Sequence, residues 1–529
     1  MDQDNAGDHH SFTAGAKNNR TDTDSKHVLP LALAVFLTLF LIYSSIAAHY
    51  PQHSDGGELA VAAVTHGLIH PPGYPLYALI SVELVALWPD NPFYTLAIFS
   101  AFAQAAAAGL LLYILRFFSV PPLLGALTAF CWGIHFFTLI TAYDTELFAF
   151  HNVLSAVLVL ICQWSLVTRR SPLTISLTIG VATGVCIAHH HMLVLWFPLL
   201  GVVLCHQAQR LGGLLHLLRS GCIAGVVAVL TALPFYLTLF ASYLRDIEET
   251  PDTLVSLVHL GVYFFRIRYG TFSLGIDLSP TASSAIFDFL KKCLFDFPVI
   301  AAALVMLPYV TIRDKSLVAW GLFFSLLAHL WFVVRIPVEL GVVDQWSARF
   351  LSTPMYAVII CTAIALSSFS RGYFTPLLLC ITAVAITRQL IAHSPAIDVH
   401  SADTLWATAE KRLEPLESGG VVLIDDDFYH FRSDYFQRVQ GRRPDLIRVI
   451  KPFLGSQKYR SVVAAKIDGW SFNASCIAQK TAPCRLISLP EIFDLLRRIC
   501  QQGRVVVLSQ KSAPTASCEA TVEGWRNDF

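Results

Sequence analysis

Long stretches almost free of charge, repeated along most of the chain, constrain this sequence more than any other feature. The first runs from Val28 to Ala48. Others fall near 93–117, 121–141, 148–168, 172–188, 191–206, 220–243, 296–312, 317–335, 351–369 and 373–391. Each approaches the roughly 20 apolar residues needed to cross about 30 Å of hydrocarbon as a helix. A backbone in lipid must satisfy its own polar groups, so such runs predict helices. Composition agrees: 14% of residues are charged and mean hydropathy is +0.58, against about 25% charged in an ordinary soluble domain. A single water-soluble globule is excluded.

The charge is unevenly spread. Residues 393–529 hold 18 of the 37 Lys/Arg and 16 of the 37 Asp/Glu. The expected organisation is therefore a polar, disordered cytoplasmic tail over 1–27, a membrane portion over 28–392 and a soluble domain over 393–529. Equal numbers of basic and acidic residues offer no footprint for nucleic acid. Eight of the twelve cysteines lie in the apolar part, as small hydrophobes. The other four, Cys476, Cys484, Cys500 and Cys518, permit up to two disulfides in an oxidising compartment. No CxxC or zinc-type pattern occurs.

A twelfth apolar run, 73–89, is short and contains Glu83. If it does not cross, then Lys17, Arg20, Lys26, Arg116, Arg169, Arg170, Arg210, Arg219, Arg313, Lys315 and Arg371 share one side. The positive-inside rule then sets eleven spanning helices, a cytoplasmic N-terminus and an external C-terminal domain, with 73–89 interfacial or re-entrant. Of the 16 Asp/Glu between 28 and 392, only Asp314 falls on the cytoplasmic side. The chemistry is expected on the outer face.

Three outer segments stand out. The first loop, HYPQHSDGGELAVAAVTHGLIHPPGYPLY, places Asp55 and Glu58 around Gly56 and Gly57, which allow a tight backbone path. His70-Pro71-Pro72-Gly73-Tyr74-Pro75 follows as a helix-incompatible stretch. The second turn, TAYDTELFAFHN, brings Asp144 and Glu146 to the same face, with Glu146 expected to point inward. The third is the triplet His189–His191. Neighbours on a helix diverge by about 100°, so these rings cannot all serve one point. A divalent ion held by a histidine with Asp55 and Glu146 is an open alternative, although zinc asks for three or four converging ligands. Farther on, Arg266 and Arg268 flank Ile267 before Tyr269 and Gly270, and Arg349 precedes the tenth helix. Arginine forks suit phosphate oxygens.

A carboxylate can take a proton from an acceptor hydroxyl. Arginines and histidine can steady charge on a departing phosphate. Together with an apolar cavity, these groups suit glycosyl transfer from a lipid-phosphate sugar. A transporter or flippase for a lipid-linked or hydrophobic solute is the alternative, though it would place its acids at midplane on broken helices.

The stretch HSDGGELAVAAVTHGLIHPPGYPLYALI resembles the signature of the protein O-mannosyltransferase-like family, and the chain looks like a bacterial-type member. TAYDTELFAFHN resembles that family's second acidic turn, with Phe148 in place of a tyrosine. GVCIAHHHM resembles its Asn-His segment, with His190 in register and His189 replacing the asparagine. VVLIDDDFYHFRSDYFQRVQGRRPDLIRVI resembles its strand–acid–helix segment. The resemblance implies an all-α polytopic membrane protein of the type-C glycosyltransferase fold with a C-terminal soluble α/β domain. It implies an inverting transfer from a polyprenyl-phosphate sugar to a protein or glycan hydroxyl in a plasma membrane, with Asp55 as base and Glu58 as second candidate. Glu146 joins them, while His70, Tyr74, His190, Arg266, Arg268, Tyr269 and Arg349 bind donor phosphate or substrate. No cofactor is implied beyond the lipid-linked donor, and Phe148 and His189 leave the sugar open.

In the soluble segment, strand-like GGVVLI, LIRVI, CRLISL and RVVVL alternate with helical periods, predicting a small parallel sheet. Asp425–Asp427 follow a strand, where either a ligand or a helix N-cap is expected. Arg442 and Arg443 read as a solvated pair. Asn473-Ala474-Ser475 is a glycosylation sequon.

Overall fold

The computed structural model describes residues 21–51, 55–168, 170–211, 213–245, 317–335, 348–367, 384, 411, 413–425, 427–455, 457–469, 487–508 and 517–528. Ten helices run through the first part: α1 (Thr21–Ser45), α2 (Gly56–Thr65), α3 (Pro75–Leu87), α4 (Pro92–Phe117), α5 (Pro122–Gly133), α6 (Phe136–Tyr143), α7 (Leu147–Val167), α8 (Pro172–His189), α9 (Phe197–Leu211) and α10 (Leu214–Arg245). Later come α11 (Leu317–Arg335) and α12 (Ala348–Ser367). Six described helical stretches are long and apolar enough to cross a membrane, and α5 with α6 make a seventh if counted as one bent span. The protein is therefore integral to a membrane. The expected runs 296–312 and 373–391 lie outside the described residues, apart from residue 384.

Two expectations need correction. The first helix begins at Thr21, not Val28, so the end of the polar tail is already helical. The run 73–89 forms the 13-residue α3, about 20 Å long at 1.5 Å per residue and too short to span, in agreement with the expectation that it does not cross. The run 121–141 is not one helix but bends by 66° between α5 and α6. Its cause is local. The Tyr43 hydroxyl of α1 donates to the Gly133 carbonyl at 2.6 Å, and His135 Nδ1 accepts from the Phe137 amide at 3.3 Å. Both partners of the 137-to-133 helical bond are thus engaged elsewhere.

Small residues set the tightest helix contacts. A Cβ on Gly180 or Gly184 of α8 would lie 2.7 or 2.5 Å from the Ala224 and Ala228 carbonyls of α10. This is the small-xxx-small approach common between membrane helices. Within the bundle, Asn152 donates to Gln104 Oε1 at 3.0 Å and accepts from Thr353 Oγ1 at 2.8 Å, tying α4, α7 and α12 together.

The C-terminal domain holds the expected parallel sheet. β1 (Val421–Ile424) lies between β2 (Ile447–Ile450) and β3 (Val505–Leu508), in register Val421↔Ile447 and Val421↔Val505. Its helices are α13 (Asp427–Arg438), α14 (Gln457–Asp468), α15 (Leu489–Gln501) and α16 (Cys518–Asp528). The first half of the expected strand CRLISL lies outside the described residues, and in the second half Ile487 and Ser488 are not strand and Leu489 begins α15. A disulfide joins Cys500 to Cys518, while Cys476 and Cys484 are outside the described residues. Arg443 is not merely solvated. It donates to the Leu413 and Leu416 carbonyls at 2.6 and 2.8 Å and pairs with Asp445 at 3.0 Å, which holds the Asp445 carboxyl below its ordinary range.

Candidate active site

Asp55 occupies the N-cap of α2 without capping it through its side chain, so the carboxylate is available for other contacts. Glu58 sits in the first turn of that helix. After α2 the chain turns through a left-handed His66 (φ 54°), passes a cis Pro71–Pro72 bond, and takes positive φ at both Gly73 (87°) and Tyr74 (43°). A left-handed tyrosine is uncommon and costs on the order of 1–3 kcal/mol. The geometry it secures is specific: the loop folds back so that His70 lies over Glu58.

His70 engages both oxygens of that carboxylate. Its amide donates to Glu58 Oε1 at 2.7 Å, and its Nδ1 is 2.6 Å from Oε2. The other ring nitrogen, Nε2, meets the Tyr74 hydroxyl at 2.9 Å and lies 3.8 Å from Asp55. Against an ionised Glu58, Nδ1 is the donor of this contact; against a protonated one it is the acceptor. His70 thus links the two acids of the first loop. The side chains of Asp55, Glu58 and His70 are 11%, 16% and 17% exposed. Burial pushes the Glu58 carboxyl above the usual carboxylate range, the His70 charge and N–H groups pull it back, and Asp55 pushes it up again.

The second acidic turn joins this cluster through backbone contact. A Cβ on Gly56 would stand 2.8 Å from the Thr145 carbonyl and 2.9 Å from the Phe93 ring. Asp144 and Glu146 flank that threonine and are 4% and 1% exposed. Asp144 accepts from the Thr145 amide at 2.7 Å. Glu146 starts α7, with its amide and carbonyl both held by Ser100 Oγ at 3.0 Å. The inward placement expected of Glu146 is what the fold shows. Gly56 and Gly57 are both helical, so their role is close approach rather than unusual φ.

The histidine triplet divides as helical geometry requires. His189 ends α8 with Nε2 3.2 Å from the Leu147 carbonyl. His191 Nε2 lies 3.4 Å from the Tyr236 hydroxyl. His190, in extended conformation (φ −158°), accepts from the Met192 amide through Nδ1 at 2.9 Å. A neutral His190 therefore carries its proton on Nε2. Its ring stacks on Tyr74 at 5.1 Å and meets Phe148 at 5.4 Å. Phe148 in turn contacts Phe350 at 5.1 Å, so the first turn of α12, which carries Arg349, abuts the same cluster. Arg266, Arg268 and Tyr269 lie outside the described residues.

Two buried groups near the site had no distinguishing local pattern. The His151 ring of α7 lies 5.4 Å from His190. Arg432 of α13 is 1% exposed. Among the described residues, no three His, Cys, Asp or Glu converge as a metal-ligand set. Asp425 and Asp427 flank the junction between central strand β1 and α13, and Asp426 is outside the described residues.

The described site sets Asp55 beside a histidine-bridged acid, with imidazole and phenol groups on one wall. The family profile "Protein O-mannosyl-transferase TMEM260 N-terminal domain" matches residues 55–211. The protein O-mannosyl-transferase TMEM260 of Mus musculus is 24% identical over 471 residues, covering 83% of this chain. The chain spans 65% of that relative's own length. Crystal structures of ArnT from Cupriavidus metallidurans, bound to undecaprenyl phosphate and apo, align with TM-scores of 0.44 and 0.46 at 13% identity. They cover 80% of this chain and 86% of theirs. The segment carrying Asp55, Glu58, His70, Tyr74, Glu146 and His190 is thus similar to the N-terminal domain of the protein O-mannosyl-transferase TMEM260 family.

Proposed function

We propose that this protein is an inverting membrane glycosyltransferase of the type-C class, moving a sugar from a polyprenyl-phosphate donor to a hydroxyl acceptor at the outer face. The observation that carries the reading is the buried Asp55–His70–Glu58 cluster, within a segment that matches a mannosyl-transferase family domain. The relative's printed name supplies the reaction class, and the donor sugar and the acceptor stay unspecified.

In this reading Asp55 removes the proton of the acceptor hydroxyl as its oxygen attacks the anomeric carbon. The bond from that carbon to the phosphate oxygen breaks, and polyprenyl phosphate leaves with the bonding electrons. His190 Nε2–H and the arginines Arg266, Arg268 and Arg349 would stabilise that charge. His70 and Tyr74 fix the first loop, and Glu146 orients sugar or acceptor hydroxyls. The outward orientation is supported by the Cys500–Cys518 disulfide, since such bonds persist in oxidising compartments.

The test is transfer in membranes holding wild type or Asp55→Asn, supplied with a panel of radiolabelled polyprenyl-phosphate sugars. Wild type should pass label from one donor to an acceptor. Asp55→Asn, at equal abundance, should lose transfer by about 10²–10⁴-fold. Undiminished transfer by Asp55→Asn would remove the assigned base. No transfer from any donor would instead favour a transporter.

A further inference from the structure

Two histidines beside the site take no part in the proposed mechanism. His151 follows Glu146 along α7, about 7.5 Å deeper at 1.5 Å per residue, and is fully buried. His189 ends α8 and is equally buried. The His151 ring lies 6.0 Å from that of His189, 5.4 Å from that of His190 and 6.2 Å from that of Phe148. The His190 ring continues to Tyr74, whose hydroxyl meets His70. A continuous series of rings thus joins His151 to the acids of the first loop.

Among the described residues, neither ring nitrogen of His151 has a hydrogen-bond partner, and neither does His189 Nδ1. Polar atoms left so in an apolar interior are costly, which points to a group from a ligand. The protonation of His189 narrows its chemistry. Its Nε2 lies 3.2 Å from the Leu147 carbonyl, which can only accept, so Nε2 carries the proton and Nδ1 of the neutral ring presents a lone pair. His151, free of a partner that would select its tautomer, can offer an N–H. A hydroxyl suits the pair: it donates to His189 and accepts from His151. Rings 6.0 Å apart lie within reach of two hydrogen bonds of about 3 Å to one shared oxygen. An ionised phosphate only accepts and cannot serve the His189 lone pair. The attacking hydroxyl of an acceptor belongs at Asp55 on the rim, whereas this corner lies on the bundle side of Glu146, where a lipid-linked group would enter.

We infer that His151 and His189 bind a hydroxyl of the lipid-linked sugar, and so select the donor by its sugar rather than by its lipid or phosphate. The inference rests on the polyprenyl-phosphate-sugar reading above, but binding can be read without transfer. The probes are undecaprenyl phosphate, bare or carrying mannose, glucose or galactose, titrated onto the full chain in nanodiscs without acceptor. Wild type should bind one loaded lipid about tenfold more tightly than the bare one. His151→Phe, which keeps a buried ring, should reduce that preference to about twofold or less and leave affinity for the bare lipid unchanged. An unaltered preference in His151→Phe overturns the inference. So does an equal loss for bare and loaded lipid, which would put the imidazole on the phosphate. Wild type without a preference overturns it too, and a raised acceptor KM in His151→Phe would then assign the pair to an acceptor hydroxyl. If His151→Phe does not accumulate, deoxy forms of the preferred sugar decide on wild type. A loss of about tenfold at a single hydroxyl upholds the inference, and equal binding of every form overturns it. A preference that His151→Phe removes, in a protein that transfers no sugar, would leave the inference intact and remove the glycosyltransferase reading instead.

Discussion

Polar residues are buried in two places, on different terms. Inside the bundle, Gln104, Thr141, Asn152, Ser352 and Thr353 form a network of neutral amides and hydroxyls. At the rim around α2, Asp55, Asp144 and Glu146 are buried ionisable groups, with Glu58 and His70 half-buried beside them. Neutral interhelical bonds in a membrane contribute modestly, about 0.6–2 kcal/mol each, and fix which helices face one another. Buried charge costs much more unless partnered, so the rim depends on ion pairs and charge-assisted hydrogen bonds that the interior does not need. The interior network positions helices, and the rim cluster holds the titratable groups.

Breaking the rim at its tightest contact should have the largest effect. Gly57→Val would drive a branched side chain into the Phe431 carbonyl, which as backbone cannot rotate away. Transfer should fall by more than tenfold and the C-terminal domain should become sensitive to protease. Gly201→Val, at a glycine with nothing within 4 Å of its would-be Cβ, should do neither. Equal behaviour of the two variants would mean that the domain contact does not matter.

Asn152→Leu probes the other region. It strands Gln104 and Thr353, at about 1–3 kcal/mol for unsatisfied buried partners. The melting temperature in detergent should fall, while the pH dependence of any remaining transfer stays put. A shifted pH profile would erase the distinction between the regions.

Glu58→Gln sharpens the electrostatic side. Burial raises the Glu58 pKa, so the folded protein holds that proton to higher pH than the unfolded chain, whose value is about 4.3. The group's contribution to stability is therefore full below that value and is lost as pH rises through the folded value. Glutamine stays neutral. Wild type should lose more stability than Glu58→Gln between pH 4 and the raised pKa, measured by thermal unfolding at a series of pH values. Parallel curves would show that Glu58 is not strained by burial.

The smallest effect is expected in the domain away from the site. Arg442 lies over the Phe436 ring at 5.5 Å, whereas Arg443 anchors two backbone carbonyls. Arg442→Ala should shift the melting temperature less than Arg443→Ala, and neither should change transfer. A reversed order would move Arg442 into the docked interface.

Much of this was legible in the chain because hydrocarbon thickness and backbone satisfaction act locally. An apolar run of sufficient length becomes helical, and alternating short strands and helical periods become a parallel sheet. Residue type likewise announced Asp55, Glu58 and Glu146, since acids between apolar runs are costly enough to need a reason. Other features depend on groups far apart in sequence. The bend at 133–137 needs Tyr43 from another helix, the left-handed Tyr74 needs a loop folded back on α2, and Gly57 needs the Phe431 backbone. Arg432 has no local signature at all. The sequence alone determined which segments are apolar enough to enter a membrane, because hydropathy belongs to individual side chains. Which groups meet was decided only by tertiary packing, because an interaction depends on separation and burial that no local pattern records.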